Sequence, residues 1–112
     1  MNDELVDLTI TSLGGVITVA LRGEMDAHTS PALQRALDHL LDPKMRVRID
    51  LSGVRFIDSR GLQVLLVQTT RFRDGGGRLE IANASAFTHR VMAYAGLSGV
   101  LNTVEERTLE AS

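Results

Sequence analysis

The chain has 112 residues, 44% of them hydrophobic and 23% charged, which indicates one globular domain and excludes a largely disordered protein. Its formal net charge of −2 excludes a general attraction to nucleic acid or to an anionic membrane surface. Because the sequence contains no cysteine, disulfides, thiolate nucleophiles and thiolate metal sites are excluded too.

The N-terminal part of the sequence predicts a β-hairpin followed by a helix. Apolar and polar residues alternate over residues 6–11, and residues 16–21 are β-branched and apolar, as in two strands. Gly14 and Gly15 between them suit a tight turn. Ser30 is predicted to cap the first helix, with Pro31 in its first turn. Apolar side chains then recur at helical spacing until Pro43: Leu33, Ala36, Leu37, Leu40 and Leu41.

The middle of the sequence predicts a strand, an irregular loop and a second helix. Apolar and polar side chains alternate over residues 47–51, which is typical of a strand with one solvent-exposed face. The second helix is predicted from Ser59 to Arg73, with Leu62, Leu65, Leu66 and Thr69 on one face. Three consecutive glycines, residues 75–77, end it.

The last part predicts a strand over residues 78–82 and a third helix capped by Ser85 and running to Ala95. We expect Phe87, Val91 and either Tyr94 or Ala95 to point inward, and Gly96 to end the helix. A short strand is predicted within residues 100–104, and the tail over residues 105–112 is predicted to be loose.

The order of these elements predicts an α/β fold in a single domain over residues 1–112. Strands that alternate with helices after a hairpin give a mixed β-sheet with parallel crossovers. Since the strands alternate instead of reading as continuous apolar runs, we expect three to four helices packed on one face of the sheet.

Residues 51–62 are the segment most suited to a function, because they pass from a strand into a helix at Asp58 or Ser59. The start of a helix carries free amides and the positive end of the helix dipole. A phosphate on Ser59 would lie in that field and would be repelled by Asp58. Both residues are also common helix caps, and a capped helix needs no function.

Two motifs in this sequence resemble those of the STAS domain family. Residues 50–54 read Asp-Leu-Ser-Gly-Val and residues 57–62 read Ile-Asp-Ser-Arg-Gly-Leu, which is similar to the family signature at this turn. Residues 23–26 read Gly-Glu-Met-Asp and resemble a second family element before the first helix. The resemblance extends from the hairpin to the third helix and implies the same sheet with helices on one side.

The resemblance implies an anti-sigma factor antagonist, a protein that binds a kinase-type anti-sigma factor and is released when it is phosphorylated. In the family the residue immediately before the glycine is often the phosphate acceptor, and this position is Arg60 here, so Ser59, the one hydroxyl left in the motif, is the expected phosphorylation site. The partner-binding residues that it implies lie around that turn and at the second motif: Asp26, Asp58, Ser59, Arg60, Gly61 and Leu62.

Arg60 departs from the family pattern, which has Ser or Thr immediately before the glycine. Three outcomes follow: Ser59 takes the phosphate and Arg60 pairs with it, the switch is fixed in its binding form, or the domain serves a different partner. An alternative function is an accessory subunit of a lipid-transport ABC system, which would bind its ATPase without a phosphate switch.

No catalytic or metal-binding constellation is evident in the sequence. The histidines His28, His39 and His89 lack metal-ligand spacing, and neither a nucleophile elbow nor a phosphate-binding loop is present. We therefore predict that the protein is not an enzyme and has no catalytic residues, metal or cofactor.

The sequence also makes predictions about cellular location, membrane insertion, nucleic-acid binding and oligomeric state. The acidic N-terminus does not resemble a secretory signal, and no apolar stretch approaches the roughly 20 residues of a membrane span. We expect a cytoplasmic protein without membrane insertion. Arg71, Arg73 and Arg78 are too few to indicate direct nucleic-acid binding. The half-open sheet is compatible with a monomer or a weak homodimer.

Overall fold

The computed structural model describes residues 6–104, so the predicted loose tail over residues 105–112 lies outside the described residues. Within them, five strands and three helices alternate after a hairpin. In chain order the elements are β1 (Asp7–Leu13), β2 (Val16–Met25), α1 (Ser30–Leu40), β3 (Arg46–Ile57), α2 (Ser59–Gly75), β4 (Arg78–Ala82), α3 (Ala86–Tyr94) and β5 (Thr103–Val104).

The strands form one mixed sheet in the order β1-β2-β3-β4-β5. Strand β1 pairs antiparallel with β2, and every later pair is parallel. The hairpin turn uses Gly14 and Gly15, whose φ angles of 61° and 80° lie in the region that glycine adopts without a Cβ clash. The predicted α/β fold with an N-terminal hairpin is therefore confirmed.

The hydrophobic core lies between the sheet and helices α1 and α2, and Met92 of α3 joins it. The strands contribute alternate residues, so the other side of β3 and β4 is polar and carries an ion pair between Arg48 and Glu80 at 3.2 Å. The largest fully buried side chains are Phe72, Leu21, Met25, Leu37, Ile49, Leu51, Ile57, Leu62, Leu65, Leu79, Ile81 and Met92.

Strands β2 and β3 are longer than the sequence pattern predicts. The predicted irregular loop after residue 51 is wrong, because β3 continues to Ile57 beside β2, which itself continues to Met25. Register shifts in this pairing break the alternation that would have marked the strands. Gly53 allows the close approach, since a Cβ there would lie 2.6 Å from Cγ of Arg22 and 2.9 Å from the carbonyl oxygen of Leu21.

Two local predictions about the helices are also wrong. The N-cap of α1 is Thr29, and Ser30 is the first helical residue instead of the cap. Helix α3 does begin after Ser85, whose hydroxyl accepts a hydrogen bond from the Thr88 amide, but it does not turn Phe87 or Tyr94 inward. Phe87 and Tyr94 are 40% and 90% exposed and the alternative Ala95 is exposed too, because the buried stripe of the helix is formed by Thr88 and Met92. Val91 is partly buried against the core, as predicted.

Helices α1 and α2 are joined by polar contacts around Asp38. The Oδ1 atom of Asp38 accepts hydrogen bonds from Nε2 of the buried Gln68 at 2.7 Å and from Nε2 of Gln34 at 3.1 Å. The Gln68 hydrogen bond is the main reason that the pKa of Asp38 lies below its usual value. Arg71 donates to the carbonyl oxygens of Asp38 and Leu41, which a helix end leaves without helical partners. These contacts fix how the two helices lie against each other.

No helix among residues 6–104 combines the length and the apolar character that crossing a membrane requires.

Candidate functional site

The two sequence motifs meet where β2 and β3 end side by side. Because these strands are parallel and Met25 is in register with Ile57, their C-terminal ends lie at the same edge of the sheet. The backbone N–H of Asp58 donates a hydrogen bond to the carbonyl oxygen of Met25 at 3.0 Å. The turn that begins at Asp26 therefore lies next to the start of α2.

Asp58 is the N-cap residue of α2. Its Oδ1 atom accepts hydrogen bonds from the backbone amides of Arg60 at 2.9 Å and Gly61 at 3.1 Å. These amides have no partner within the helix, and a carboxylate at the positive end of the helix dipole is also favoured by charge. The first role of Asp58 is thus to start the helix, which fixes the position of Ser59 at its first residue.

Gly61 allows the first turn of α2 to lie directly against β2. A Cβ at this position would come within 2.5 Å of the carbonyl oxygen of Met25, 2.7 Å of its Cβ and 2.8 Å of Cγ1 of Ile57. No side chain larger than hydrogen fits between these atoms. The glycine of the motif is therefore required by packing, and Leu62 beside it is buried in the core at 2% exposure.

Asp26 organises the turn between β2 and α1. Its Oδ1 atom accepts hydrogen bonds from the backbone amides of Thr29 and His28, both at 3.0 Å, while the Thr29 hydroxyl donates to the carbonyl oxygen of Glu24 at 2.8 Å. The Thr29 amide contributes most to holding the pKa of Asp26 below its usual range. Asp26 is consequently a fixed negative charge at neutral pH, on the turn next to Ser59.

The predicted partner-binding residues divide into an exposed group and a supporting group. Ser59 and Arg60 are exposed, and Asp26 and Asp58 are partly exposed. Gly61 and Leu62 are buried, so they position α2 instead of offering side chains to a partner. Within residues 6–104, no group of three or more His, Asp or Glu side chains is placed to hold a metal ion.

A pair of aromatic residues near this site was not predicted. Phe56 and Phe87 have ring centroids 6.1 Å apart and planes 28° apart, and each side chain is 40% exposed. Phe56 stands two residues before Asp58, and strand alternation turns it away from the core side occupied by Ile57. The position of Phe56 within residues 51–62 could have marked it as a candidate site residue. Its contact with Phe87 of α3 could not be read from the sequence, because that contact depends on the fold.

Comparison with known proteins places this arrangement in a family. A family model described as "Mlab, STAS domain" matches residues 8–104. The chain is 28% identical to the anti-sigma F factor antagonist of Paenibacillus polymyxa over 89 residues. This match covers 78% of this chain and 76% of the relative. The chain is 30% identical over 86 residues to the anti-sigma-B factor antagonist of Bacillus subtilis, which covers 77% and 79% respectively.

A solved structure shows the same architecture. The crystal structure of an anti-sigma factor antagonist from Mycobacterium paratuberculosis matches with a TM-score of 0.78 at 25% identity, and covers 97% of this chain and 92% of that one. The predicted resemblance is therefore confirmed by the family model, by sequence relatives and by fold. The prediction of a regulator instead of an enzyme agrees with the names of these relatives. This chain belongs to the STAS domain family.

Proposed function

We propose that this protein is an anti-sigma factor antagonist that acts in the cytoplasm by binding a kinase-type anti-sigma factor. The contact surface, which we name the switch surface, comprises Asp26, Asp58, Ser59 and Arg60. Gly61 and Leu62 hold its helix in place. The names and the identity level of the curated relatives support this assignment.

The observation that carries the proposal is the position of Ser59. It is an exposed hydroxyl at the first residue of α2, beside the Asp26 turn and directly after the Asp58 cap. A phosphate there would add a charge of about −1.5 to −2 at neutral pH. The helix start attracts that charge, whereas Asp26 and Asp58 repel it, so phosphorylation would change both the charge and the hydration of the switch surface.

Arg60 takes the position at which the family pattern has a second hydroxyl. Because consecutive helix residues point in different directions, Arg60 does not share the face of Ser59 and faces α1 instead. Ser59 is then the one hydroxyl of the motif left to accept a phosphate, and Arg60 has a role in contacting the partner. A salt bridge between Arg60 and a phosphate on Ser59 would require the long side chain to swing around the helix.

The test combines partner identification with reconstitution. The tagged chain is isolated from its native cells, and the copurifying proteins and the phosphorylation state of the chain are identified by mass spectrometry. Trypsin cleavage after Arg55 and Arg60 yields residues 56–60, in which Ser59 is the only hydroxyl. The purified partner is then mixed with the chain and ATP. The proposal requires an anti-sigma factor that binds the chain directly and phosphorylates this peptide.

A second candidate function is the accessory subunit of a lipid-transport ABC system. It is favoured by one observation, the arginine at position 60 where a phosphate-accepting residue would stand. In that case α2 would pack on an ATPase, and Ser59 would remain unmodified. Copurification of an ATPase with phosphate-binding-loop motifs, and of no anti-sigma factor, would favour this candidate over the first.

A further inference from the structure

A groove of about 390 Å³ lies between the starts of α1 and α2, next to the switch surface. Its volume falls within the range of sites that bind a ligand or a large side chain. One wall is formed by Ser30, Pro31 and Gln34, and the other includes Arg60, Val64 and Val67. The α2 residues are spaced so that they share one helix face.

The charge of the groove selects an anionic occupant. Among the described residues that line it, Arg60 is the only charged one, although the whole chain has a formal net charge of −2. Among residues 6–104, the Arg60 guanidinium makes no ion pair, and the nearby Asp58 carboxylate already accepts two helix amides. An arginine fork that is left open in this way matches a carboxylate.

A second polar group at the groove is also without a partner. Ser30 is 5% exposed, and its Oγ atom has no hydrogen-bond partner among the described residues. Buried hydroxyls are normally hydrogen-bonded, so this one is an unused donor. Rotation about χ1 redirects a serine hydroxyl without moving the backbone. The Ser30 hydroxyl is thus available to a bound carboxylate.

The groove is also lined by Gln34 and Gln63 and by three apolar residues. Val64 is 5% exposed and Val67 is 41% exposed, with Pro31 on the opposite wall. An aliphatic side chain placed here would remove apolar surface from water. A partner segment that carries an acidic residue next to an aliphatic one would therefore satisfy both parts of the groove.

We propose that this groove receives an acidic side chain of the anti-sigma factor, with its carboxylate at Arg60 and Ser30 and a neighbouring aliphatic side chain on Val64 and Val67. This inference rests on the proposed function, and it names the partner chemistry that the switch surface recognises. Arg60, which departs from the family pattern, then supplies the specificity of this chain for its own partner.

The test measures affinities by calorimetry between the chain and the purified anti-sigma factor that phosphorylates it. Arg60→Gln should weaken binding about tenfold or more, and Arg60→Lys should lose less because the charge remains. Arg90→Gln, a change of an exposed arginine on α3, should leave the affinity unchanged. Ser30→Ala should weaken binding about threefold to tenfold without lowering the stability of the free chain, since it removes a hydroxyl that has no partner there.

A photo-crosslinking residue at Val67 identifies what occupies the groove. Leu13, the last residue of β1, is the control position. It is 86% exposed, and it pairs with Val16 at the end of β2 that is opposite the switch surface. Crosslinks from Val67, and not from Leu13, should join a partner segment that contains Asp or Glu. Replacing that acid by its amide should weaken binding as much as Arg60→Gln does, and combining both changes should add little further loss.

Several outcomes would overturn the inference. If the anti-sigma factor binds but Arg60→Gln retains full affinity, or if the crosslinked segment contains no acid, the proposed function stands and the groove assignment is wrong. Crosslinks from Val67 to a second copy of this chain would make the groove a homodimer contact. If no anti-sigma factor binds the chain at all, the proposed function fails and this inference fails with it.

Discussion

The backbone N–H of Asp58 donates to the carbonyl oxygen of Met25 at 3.0 Å, and this one hydrogen bond joins the ends of β2 and β3. It places the Asp26 turn beside the first turn of α2, although the two motifs are far apart in the sequence. The surface therefore combines two strand ends and the start of a helix, all held by backbone hydrogen bonds. Under the proposed function, a charge added at Ser59 would therefore meet the partner on a hydrogen-bonded helix turn and not on a loose loop.

Replacing Gly61 by alanine should destabilise the protein, because the new Cβ would overlap Met25 and Ile57. We expect the free energy of unfolding to fall by about 2 kcal/mol, as in other overpacked sites. Gly99→Ala is the matched control, since a Cβ there meets no atom within 4 Å. Urea unfolding of both variants gives the comparison, and equal stabilities would show that α2 is not held against β2 in this way.

Replacing Asp58 by alanine should cost about 1 kcal/mol of stability, because the Arg60 and Gly61 amides lose their acceptor. Asp58→Asn should lose less, since the amide oxygen still caps the helix. Ser85→Ala removes the corresponding cap of α3 and serves as a reference for the cost of a lost cap. Thermal or urea unfolding measures all three, and an Asn variant as unstable as the Ala variant would contradict the capping role.

The Asp38 contacts between α1 and α2 should make stability depend on pH below about pH 4. The pKa of Asp38 is lowered in the folded state from an ordinary 3.8, chiefly by the hydrogen bond from Gln68. Its stabilisation is thus fully present above pH 3.8 and is lost as the pH falls through the lower folded-state pKa. Because this side chain is 48% exposed, we expect the contribution to be below about 1 kcal/mol.

Urea unfolding of wild type and Asp38→Asn at pH values from 7 to 3 measures this contribution. The difference in unfolding free energy between the two proteins should be largest at neutral pH and should shrink as the solution is acidified. A difference that stays constant over this range would mean that the Asp38 charge does not stabilise the fold.

The strand and helix pattern was predictable wherever the side-chain period was regular. Residues 47–51 and 78–81 alternate cleanly and lie in β3 and β4. The extension of β3 was not predictable, because Ser52 and Gly53 read locally as the start of a turn. Only the neighbouring β2 shows why they continue the sheet, since Gly53 accommodates the close approach of its backbone.

The candidate site was predictable as a set of residues but not as an arrangement. Asp58 and Ser59 read as possible caps from their type alone, and the structure assigns the cap to Asp58. The groove beside Arg60 could not be predicted, because it depends on how α1 lies against α2. Ser30 was predicted to cap α1 because of its residue type and the proline after it. In the fold its hydroxyl is buried and has no partner among the described residues.

The most direct test of the central claim is the affinity of the anti-sigma factor for the Ser59 variants. Ser59→Asp adds a negative charge at the switch surface and should weaken binding more than Ser59→Ala, which only removes the hydroxyl. Ser98→Asp places the same charge on an exposed residue away from this surface and controls for net charge. Calorimetry should give tight binding for wild type, Ser59→Ala and Ser98→Asp, and weak binding for Ser59→Asp. Equal affinities for all four proteins would contradict a switch at Ser59.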